Sequence, residues 1–279
     1  RRAFYCLIFL IASIFPTHVQ AQMDTNQHIE YLSEINLVGK GQQRDVMMLP
    51  EIVGTKINAG KKNSLVVLDQ VNNVVVNNSM RQILAKVPGI QIWESDGSGI
   101  QIGIANRGLS PNRSWEFNIR QNGADTSADP FGYPEAYYTP PMEAVERIEF
   151  IRGASSLQFG PQFGGMVNYV LKSGRGEKPF FYEGRQSAGS YGLISSYNAI
   201  GGAKGKWSYY AFAQQRKGNG WRQNSAFDIR SLYGNVEFKA SEKLLIGMNI
   251  THSEFLSQQP GGLTDQQYEL DWRSSSRSR

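Results

Sequence analysis

The side chains that most often carry out enzymatic chemistry are few in this sequence, and they lie far apart. The chain has 279 residues, with three histidines and a single cysteine, Cys6. We expect Cys6 to leave with an N-terminal leader, so the mature chain has no thiol nucleophile and no thiolate metal ligand. His28 lies in a polar segment and His252 in a predicted strand, which is not the spacing of a metal site. We therefore predict no catalytic residue and no metal ligand.

Two further patterns could serve a cofactor or acid–base catalysis. The segment GSGIQIG, Gly97–Gly103, lacks the spacing of a dinucleotide-binding loop, and the sequence has no G-K-[ST] motif. Glu143, Glu146 and Glu149 form pairs three residues apart, which we interpret as a solvated helix end and a strand edge. A Ser/His/Asp hydrolase stays an alternative, although no motif supports it. We predict no enzymatic activity and no cofactor.

Composition indicates a β-rich protein with no nucleic-acid partner. The chain contains 29 Gly, 13 Tyr, 14 Phe and 5 Trp, and it is therefore rich in turns and aromatic residues. The formal net charge is +5, but positive and negative residues are interspersed. A stripe of Lys and Arg able to bind phosphates is absent, apart from the Arg/Ser segment at residues 273–279, which we interpret as solvated.

The first 21 residues have the three parts of a secretory signal peptide. Two arginines are followed by an apolar core, and VQA, Val19–Ala21, matches a cleavage site. The apolar core is too short to cross a bilayer. The pattern predicts export from the cytoplasm, and residues 22–49 then form a polar tether.

Residues 50–175 have the pattern of one mixed α/β domain. In NSMRQILAKVPG, Met80, Ile83, Leu84 and Val87 form one apolar stripe of a helix that Ser79 can cap and Pro88 and Gly89 end. The predicted strands are GIQIW, EFNIR, VERIEFIRG and MVNYVL. The last of them, which follows a glycine-rich loop, has the alternation of an edge strand.

From residue 176 onward, the apolar period changes to two. In IRSLYGNVEFK, Leu232, Val236 and other apolar residues alternate with polar ones, and LLIGMNITHS repeats the pattern after the tight turn ASEK. About five such strands fit between Phe180 and Gln258. Short turns at one end and long loops at the other are typical of an outer-membrane barrel. A soluble antiparallel sandwich alternates in a similar way and is the alternative.

The motifs LAKVPGI, IANRGL and MEAVERIEFIRGASSLQFGPQFGGMVNYVLK, followed by hairpins, resemble the plug domain and first barrel strands of a TonB-dependent outer-membrane receptor. The resemblance runs from about Ser33 onward. It implies a signal peptide (1–21), a tether (22–49), a plug (50–175) and an incomplete barrel (176–279). In this family the plug lies inside a barrel of about 22 strands. A complete polypeptide of roughly 650 to 800 residues is expected. A passive porin or adhesion barrel is the alternative function.

The ferric citrate branch of the family has sequences similar to QFGPQFGG and to PGGLTDQQYELDWRSSSR. The resemblance implies active uptake of a ferric chelate, ferric citrate or another iron–siderophore, with iron present only as cargo. The positions that match ligand-binding ones are Ser98, Arg107, Tyr133 and Arg277, and carboxylates of such a chelate would be bound by arginines and hydroxyl donors. Tyr133 replaces a glutamine of that branch. Arg107 has a second interpretation, as a plug-to-barrel salt bridge.

The resemblance also assigns structural roles within the plug. Arg152 matches a plug arginine that pairs with barrel glutamates. A plug must reverse direction against the curved barrel wall, so glycines 153, 160, 164 and 165 are expected to allow positive φ and close approach to that wall.

The segment SEINLVGK, Ser33–Lys40, resembles the TonB box of the family. Its residues are Glu34, Ile35, Asn36, Leu37, Val38 and Gly39. An extended segment of this kind can add as a strand to the sheet edge of a partner. The implied partner is TonB, energised by the inner-membrane proteins ExbB and ExbD, and the implied location is the lipid of the outer membrane. The alternative is a short β segment packed on the plug.

Overall fold

The computed structural model describes residues 46–53, 56–58, 63–71, 79–94, 97–127, 136–160, 162–176 and 178–277. All of these residues belong to one compact unit. The predicted signal peptide, the TonB box and Tyr133 lie outside the described residues.

Short elements make up the first part of the described chain. They are β1 (Ile52–Val53), β2 (Lys56–Ile57), β3 (Asn63–Val67), α1 (Met80–Leu84), β4 (Ile90–Glu94), β5 (Ile102–Asn106), β6 (Phe117–Gln121), β7 (Ala124–Asp125), β8 (Val145–Arg152) and β9 (Gly165–Leu171). Strands β3-β8-β9-β6-β7 form a mixed sheet in that order, in which β6 and β9 are parallel. The pairs β1–β2 and β4–β5 are separate hairpins. The predicted strands of this domain are confirmed.

Helix α1 packs as its apolar stripe predicts. Met80, Ile83, Leu84 and Val87 are all buried. The prediction that Ser79 caps the helix through its side chain is wrong, since its Oγ donates a hydrogen bond to Glu94 Oε1 at 3.0 Å. Every helix in the described ranges is too short or too polar to cross a membrane.

Strand β9 lies in the middle of the mixed sheet, so the prediction of an edge strand is wrong. It pairs with β8 on one side and with β6 on the other. The one polar position in its centre, Asn168, accepts a hydrogen bond from Gly123 N at 2.8 Å and donates one to Glu149 at 2.9 Å. These two bonds satisfy the amide and allow a polar residue in a buried strand.

The glycine-rich loop before β9 needs its glycines, but not for the predicted reason. Gly153 has φ of +67°, as expected. A Cβ at Gly164 would lie 2.4 Å from the carbonyl oxygen of Glu116, which precedes β6. Within the described residues, the close neighbours of these glycines belong to the mixed domain itself, and the barrel wall is not among them. The loop is therefore tight because it packs on a parallel neighbour strand.

The second part of the chain is a long antiparallel sheet of five consecutive strands. They are β10 (Phe181–Gly189), β11 (Leu193–Lys204), β12 (Trp207–Gly218), β13 (Phe227–Ser241) and β14 (Leu244–Ser257), followed by helix α2 (Asp265–Leu270). Two-residue turns at 205–206 and 242–243 join the strands at one end. The connections 190–192, 219–226 and 258–277 lie at the other end, which we call the long-loop end. Five strands and this asymmetry of turns confirm the predicted pattern.

A soluble sandwich buries the apolar face of each sheet and exposes the polar face, whereas this sheet buries polar residues and exposes apolar ones. On β13 the polar residues Ser231, Asn235 and Glu237 are buried, whereas the side chain of Val236 is 43% exposed. The register places Val236 opposite Met248, which is 73% exposed, and cross-strand partners share a face. An apolar outer face and an inner face that carries polar residues are typical of strands that cross a membrane.

The inner face of the long sheet packs directly on the mixed sheet. One hydrophobic cluster joins Phe117, Ile148 and Val167 of the mixed sheet to Tyr197 and Tyr210 of the long sheet. Two hydrogen bonds cross the same interface. Gln121 Nε2 donates to Thr251 Oγ1 at 2.9 Å, and the Asn122 amide donates to the Tyr233 hydroxyl at 2.8 Å. The two sheets therefore share one core.

Candidate ligand-binding cavity

A cavity of about 760 Å³ opens at the long-loop end, between the mixed domain and the long sheet. The mixed domain contributes α1 and the loop after β4, and the long sheet contributes strand ends and loops. Its polar and aromatic lining includes Arg81, Glu94, Ser98, Tyr191, Arg216, Trp221, Arg222 and Phe227. A volume of this size accommodates a small-molecule ligand.

Positive charge dominates the described lining of this cavity. Three arginines line it, and Glu94 is the one carboxylate among the lining residues that the structure describes. Arg216 is only 4% exposed, and its guanidinium lies 5.2 Å from the centre of the Phe227 ring. Arginine presents a planar fork of donors that matches a carboxylate or phosphate. The cavity is therefore suited to an anionic ligand.

Sequence reasoning identified none of these three arginines. Arg216 had a usable signal, because the period of two on β12 places it on the same face as Tyr210 and Phe212. Arg81 lies off the apolar stripe of α1, which predicts a polar position but not its neighbours. Arg222 lies in a loop, where periodicity gives no direction. The approach of the three arginines to one cavity depends on contacts between distant parts of the chain.

Ser98, predicted to face the ligand, does line the cavity. Its Oγ accepts hydrogen bonds from Ile100 N at 3.4 Å and from the Ser257 hydroxyl at 3.3 Å. The second bond ties the loop after β4 to the end of β14. Ser98 is almost fully buried, so its position in the wall is fixed by both parts of the structure.

Arg277, also predicted to bind ligand, lies near the rim and is exposed. Its Nη1 donates to Gln259 Oε1 at 2.6 Å, and Gln259 Nε2 donates to Gln101 Oε1 at 3.2 Å. Pro260, the residue that follows Gln259, lines the cavity. Arg277 is thus held close to the cavity through Gln259, without being part of its lining.

Arg107 is not brought to the cavity with Ser98. It follows β5 at the end of the β4–β5 hairpin opposite to Glu94, and its backbone N–H donates to Gly89 O at 3.2 Å. A Cβ built on Gly153 would lie 3.4 Å from Arg107 Nη1, so the guanidinium reaches the segment after β8. The structure therefore places Arg107 next to Arg152.

Arg152 makes its described hydrogen bonds within the mixed domain. Its Nη1 donates to Pro88 O at 3.0 Å, and its Nη2 donates to the Ser64 hydroxyl. Burial, and then the positive charge of Arg107, lower the pKa of Arg152. Two adjacent arginines create a local positive charge that favours a carboxylate partner. The pairing of Arg152 with barrel glutamates stays a prediction.

Ion pairs that sequence reasoning did not identify join the mixed domain to the long sheet. The Arg175 guanidinium donates from Nε and Nη2 to the two oxygens of Glu237, at 2.6 and 2.7 Å. The Ser208 hydroxyl donates to the same carboxylate at 3.1 Å. Lys172 Nζ lies 2.9 Å from Glu183 Oε2. These pairs attach the connection between β9 and β10 to the inner wall.

Glu143 is buried, so its interpretation as part of a solvated helix end is wrong. It is 6% exposed because the turn Met142–Ala144 packs between the two sheets, and its Oε2 has no hydrogen-bond partner among the described residues. Burial raises the pKa of this carboxyl, while the charges of Arg185 and Arg216 act in the opposite direction. Glu146 and Glu149, in contrast, pair with Arg147.

The sequence and the fold both match known proteins. Residues 58–167 match the family described as TonB-dependent Receptor Plug Domain. The structure of the ferric citrate transporter FecA in the unliganded form is similar, with 22% identity and a TM-score of 0.64 over 79% of this chain and 35% of that one.

A pyoverdine-bound protein and a copper transporter have similar folds. P. aeruginosa FpvA bound to heterologous pyoverdines matches at 18% identity and a TM-score of 0.57, over 71% of this chain and 26% of that one. The copper transporter OprC matches at 15% identity and a TM-score of 0.59, over 74% of this chain and 32% of that one. This chain therefore spans about a third of the length of such proteins, or less.

A plug domain packed on the inner face of an antiparallel sheet with an apolar outer face is the arrangement expected of a plug and the first strands of an outer-membrane barrel. The plug-domain match over residues 58–167 and the shared fold support a TonB-dependent receptor, with the outer membrane as its location. The predicted fold class, an α/β plug followed by the first strands of a barrel, is confirmed. Two of the similar structures are described as transporters, one of ferric citrate and one of copper.

Proposed function

We propose that this chain is part of a TonB-dependent transporter that takes up a ferric chelate, with ferric citrate as the first candidate. The observation that carries the proposal is the cavity with Arg81, Arg216 and Arg222 in its wall. Ferric citrate is anionic and exposes carboxylates, which arginines bind through paired hydrogen bonds. The cavity lies at the long-loop end, which in membrane barrels faces the outside. A ligand from the medium would therefore enter it directly.

The comparisons support metal or siderophore transport more broadly than they support citrate. FecA is described as a ferric citrate transporter, but the identity of 22% limits the likeness to the fold. FpvA and OprC share the fold and are described with pyoverdine and with copper. The choice of citrate depends on the charge of the cavity. Ser98 and Arg277 would complete the site, and Tyr133 is proposed as a further ligand contact.

Transport against a gradient would need energy from the inner membrane. In the proposed mechanism TonB, energised by ExbB and ExbD, pairs with the segment Glu34–Gly39 by strand addition. The pull would rearrange the plug and open a path for the chelate. The protein would perform no catalysis and hold no resident cofactor, because iron passes through it as cargo.

A passive porin or adhesion barrel was the alternative function. Hydrogen bonds and ion pairs from the plug to the inner wall, such as Gln121 to Thr251 and Arg175 to Glu237, argue against it. A passive pore has no use for a domain fixed across its lumen.

Binding of iron-labelled citrate to receptor-containing outer membranes tests the proposal. Arg81→Gln removes a cation from the cavity at a position on the helix surface, and Arg230→Gln removes an exposed arginine from the outer face of β13 as the matched control. We expect Arg81→Gln to weaken binding about tenfold, since a charge-assisted hydrogen bond contributes roughly 1.5–3 kcal/mol. Arg230→Gln should bind as the wild type does.

The outcomes separate the parts of the proposal. Binding of a ferric catecholate instead of ferric citrate would reject citrate and retain ferric-chelate uptake. Equal binding by Arg81→Gln and Arg230→Gln would remove Arg81 from the site. If no ferric chelate binds, the proposed function is wrong.

A further inference from the structure

The two longer loops at the long-loop end are joined by one arginine. Arg222 lies in the connection 219–226, and its guanidinium donates from Nη1 to Gly261 O at 3.0 Å and from Nη2 to Ser274 O at 2.7 Å. Both carbonyls belong to the connection 258–277. One planar side chain therefore bridges two points of the second loop that are 13 residues apart in sequence.

Ring contacts extend this junction. The Trp221 and Trp272 rings stack with centres 5.5 Å apart and an angle of 29° between their planes. The Arg222 guanidinium lies 5.7 Å from the Trp221 ring, and that of Arg273 lies 4.6 Å from the Trp272 ring. Cations held over indole faces add to the stability of such a cluster.

Hydrogen bonds that involve backbone groups hold the same two loops together. Gln223 N donates to Arg273 O at 2.9 Å, and the Asn224 amide donates to Gln259 O at 3.0 Å. The joined loops also form part of the ligand cavity, because Trp221, Arg222 and Pro260 line it. We call this junction the loop clasp.

We propose that Arg222 is a positioning residue that fixes both loops as one preformed wall of the cavity before any ligand binds. The proposal rests on the proposed function, because it describes how the wall of that binding site is ordered before a ligand is present. A wall that is already ordered avoids the entropic cost of ordering two loops during binding. The planar guanidinium of an arginine can donate to both carbonyls and stack on a ring at the same time, whereas a lysine supplies a single ammonium group.

The variant Arg222→Lys separates position from charge, because it keeps a cation at the cavity and removes the fork. We expect it to lower ferric citrate affinity on the order of tenfold. Arg230→Lys is the matched control, since Arg230 is exposed on the outer face of β13 and lies outside both loops. It should bind as the wild type does.

A disulfide tests whether the loss comes from loop position. Gln223→Cys with Arg273→Cys places a bond where the two backbones already meet, and the native Cys6 lies in the predicted signal peptide. Added to Arg222→Lys, the oxidised disulfide should restore affinity, and reduction should remove the gain. If oxidation does not restore affinity, Arg222 acts by direct contact with the ligand and the proposal is wrong.

A measurement without ligand keeps this inference separate from the proposed function. Spin labels on Lys217, near the end of β12, and on Glu269, in the connection 258–277, are both exposed and report by double electron–electron resonance how far that loop lies from the sheet. We expect one narrow distance distribution in the ligand-free wild type and a broad one in Arg222→Lys. Equal distributions would overturn the loop clasp. If the distributions differ as expected but no ferric chelate binds, the clasp stands and the proposed function fails.

Discussion

Arg175 and Glu237 form a two-point ion pair between the plug-to-barrel connection and the inner face of β13. Arg175 Nε and Nη2 lie 2.6 and 2.7 Å from the two carboxylate oxygens. The Glu237 side chain is 11% exposed and that of Arg175 is 34% exposed, so the pair is only partly screened by water. Gly174, the residue before Arg175, packs against the Tyr209 carbonyl, so the connection also lies close to β12 next to this pair.

The first prediction concerns the stability of this attachment. Arg175→Ala leaves the Glu237 carboxylate buried with the Ser208 hydroxyl as its remaining described partner, and we expect a cost of about 3 kcal/mol in the free energy of unfolding. Glu237→Gln removes the charge instead and should cost less. The two changes together should cost less than their sum. A double-mutant cycle by equilibrium unfolding in lipid vesicles measures this coupling, and additive effects would contradict it.

The second prediction concerns pH and Glu143. Burial holds the pKa of its carboxyl above the ordinary value of 4.5, so the folded protein binds this proton more tightly than the unfolded chain does. The contribution of Glu143 to the free energy of unfolding is therefore most favourable below pH 4.5, and it is lost as the pH rises through the raised pKa. Glu143→Gln should remove this loss and stabilise the receptor by about 1–2 kcal/mol at pH 8, with little difference at pH 4.

Thermal unfolding of purified receptor between pH 4 and pH 8 measures the effect of Glu143→Gln. Glu146→Gln is the control, since Glu146 is more exposed and paired with Arg147. A destabilisation by Glu143→Gln that grows toward high pH would contradict the prediction, because it would show that the buried carboxyl is charged and favourable.

Local patterns were sufficient to predict the strands and the apolar stripe of α1. A period of two or of 3.6 residues depends on neighbours in sequence, and the pattern of β13 gave the correct alternation. It also placed Glu237 on the same face as Ser231 and Asn235. Which of the two faces of the sheet is buried, however, depends on what packs against it.

The residues that define the cavity could not be predicted in this way. Arg81, Arg216 and Arg222 come from a helix, a strand and a loop that meet only in the folded molecule. The interpretation of Glu143 as solvated is wrong because its polar neighbours in sequence predict an exposed position, whereas the turn that contains it packs between two sheets. Arg107 was given two interpretations, and its position beside Arg152 favours a role at the plug surface over one in the cavity.

The third prediction tests the outer face of the sheet. Met248 lies opposite Val236 in the apolar band, whereas Leu256 lies opposite Asp228 near the long-loop end. A lysine on a lipid face costs about 2–4 kcal/mol at the bilayer midplane and about 0–1 kcal/mol near the interface. Met248→Lys should therefore destabilise the receptor much more than Leu256→Lys does. Folding yield into lipid vesicles and unfolding in urea measure the difference, and equal costs would place water on this face.

The fourth prediction concerns energy coupling through Ser33–Lys40, which lies outside the described residues. If this segment adds as a strand to TonB, its backbone N–H groups must donate to the partner's sheet. A proline has no N–H to donate, and it resists the extended pairing in the middle of a strand. Side chains matter less in such pairing, because the main chain makes the hydrogen bonds.

Leu37→Pro should therefore block uptake of iron-labelled chelate by whole cells and leave chelate binding to isolated outer membranes unchanged. We expect binding to be spared because the cavity lies at the long-loop end, which in membrane barrels faces away from the periplasm. Leu37→Ala keeps the N–H and is the matched control, with a much smaller effect on uptake. Normal transport by Leu37→Pro would show that this segment does not couple to TonB. The next candidate for the coupling segment would then be PEIVGTK, Pro50–Lys56, which contains β1.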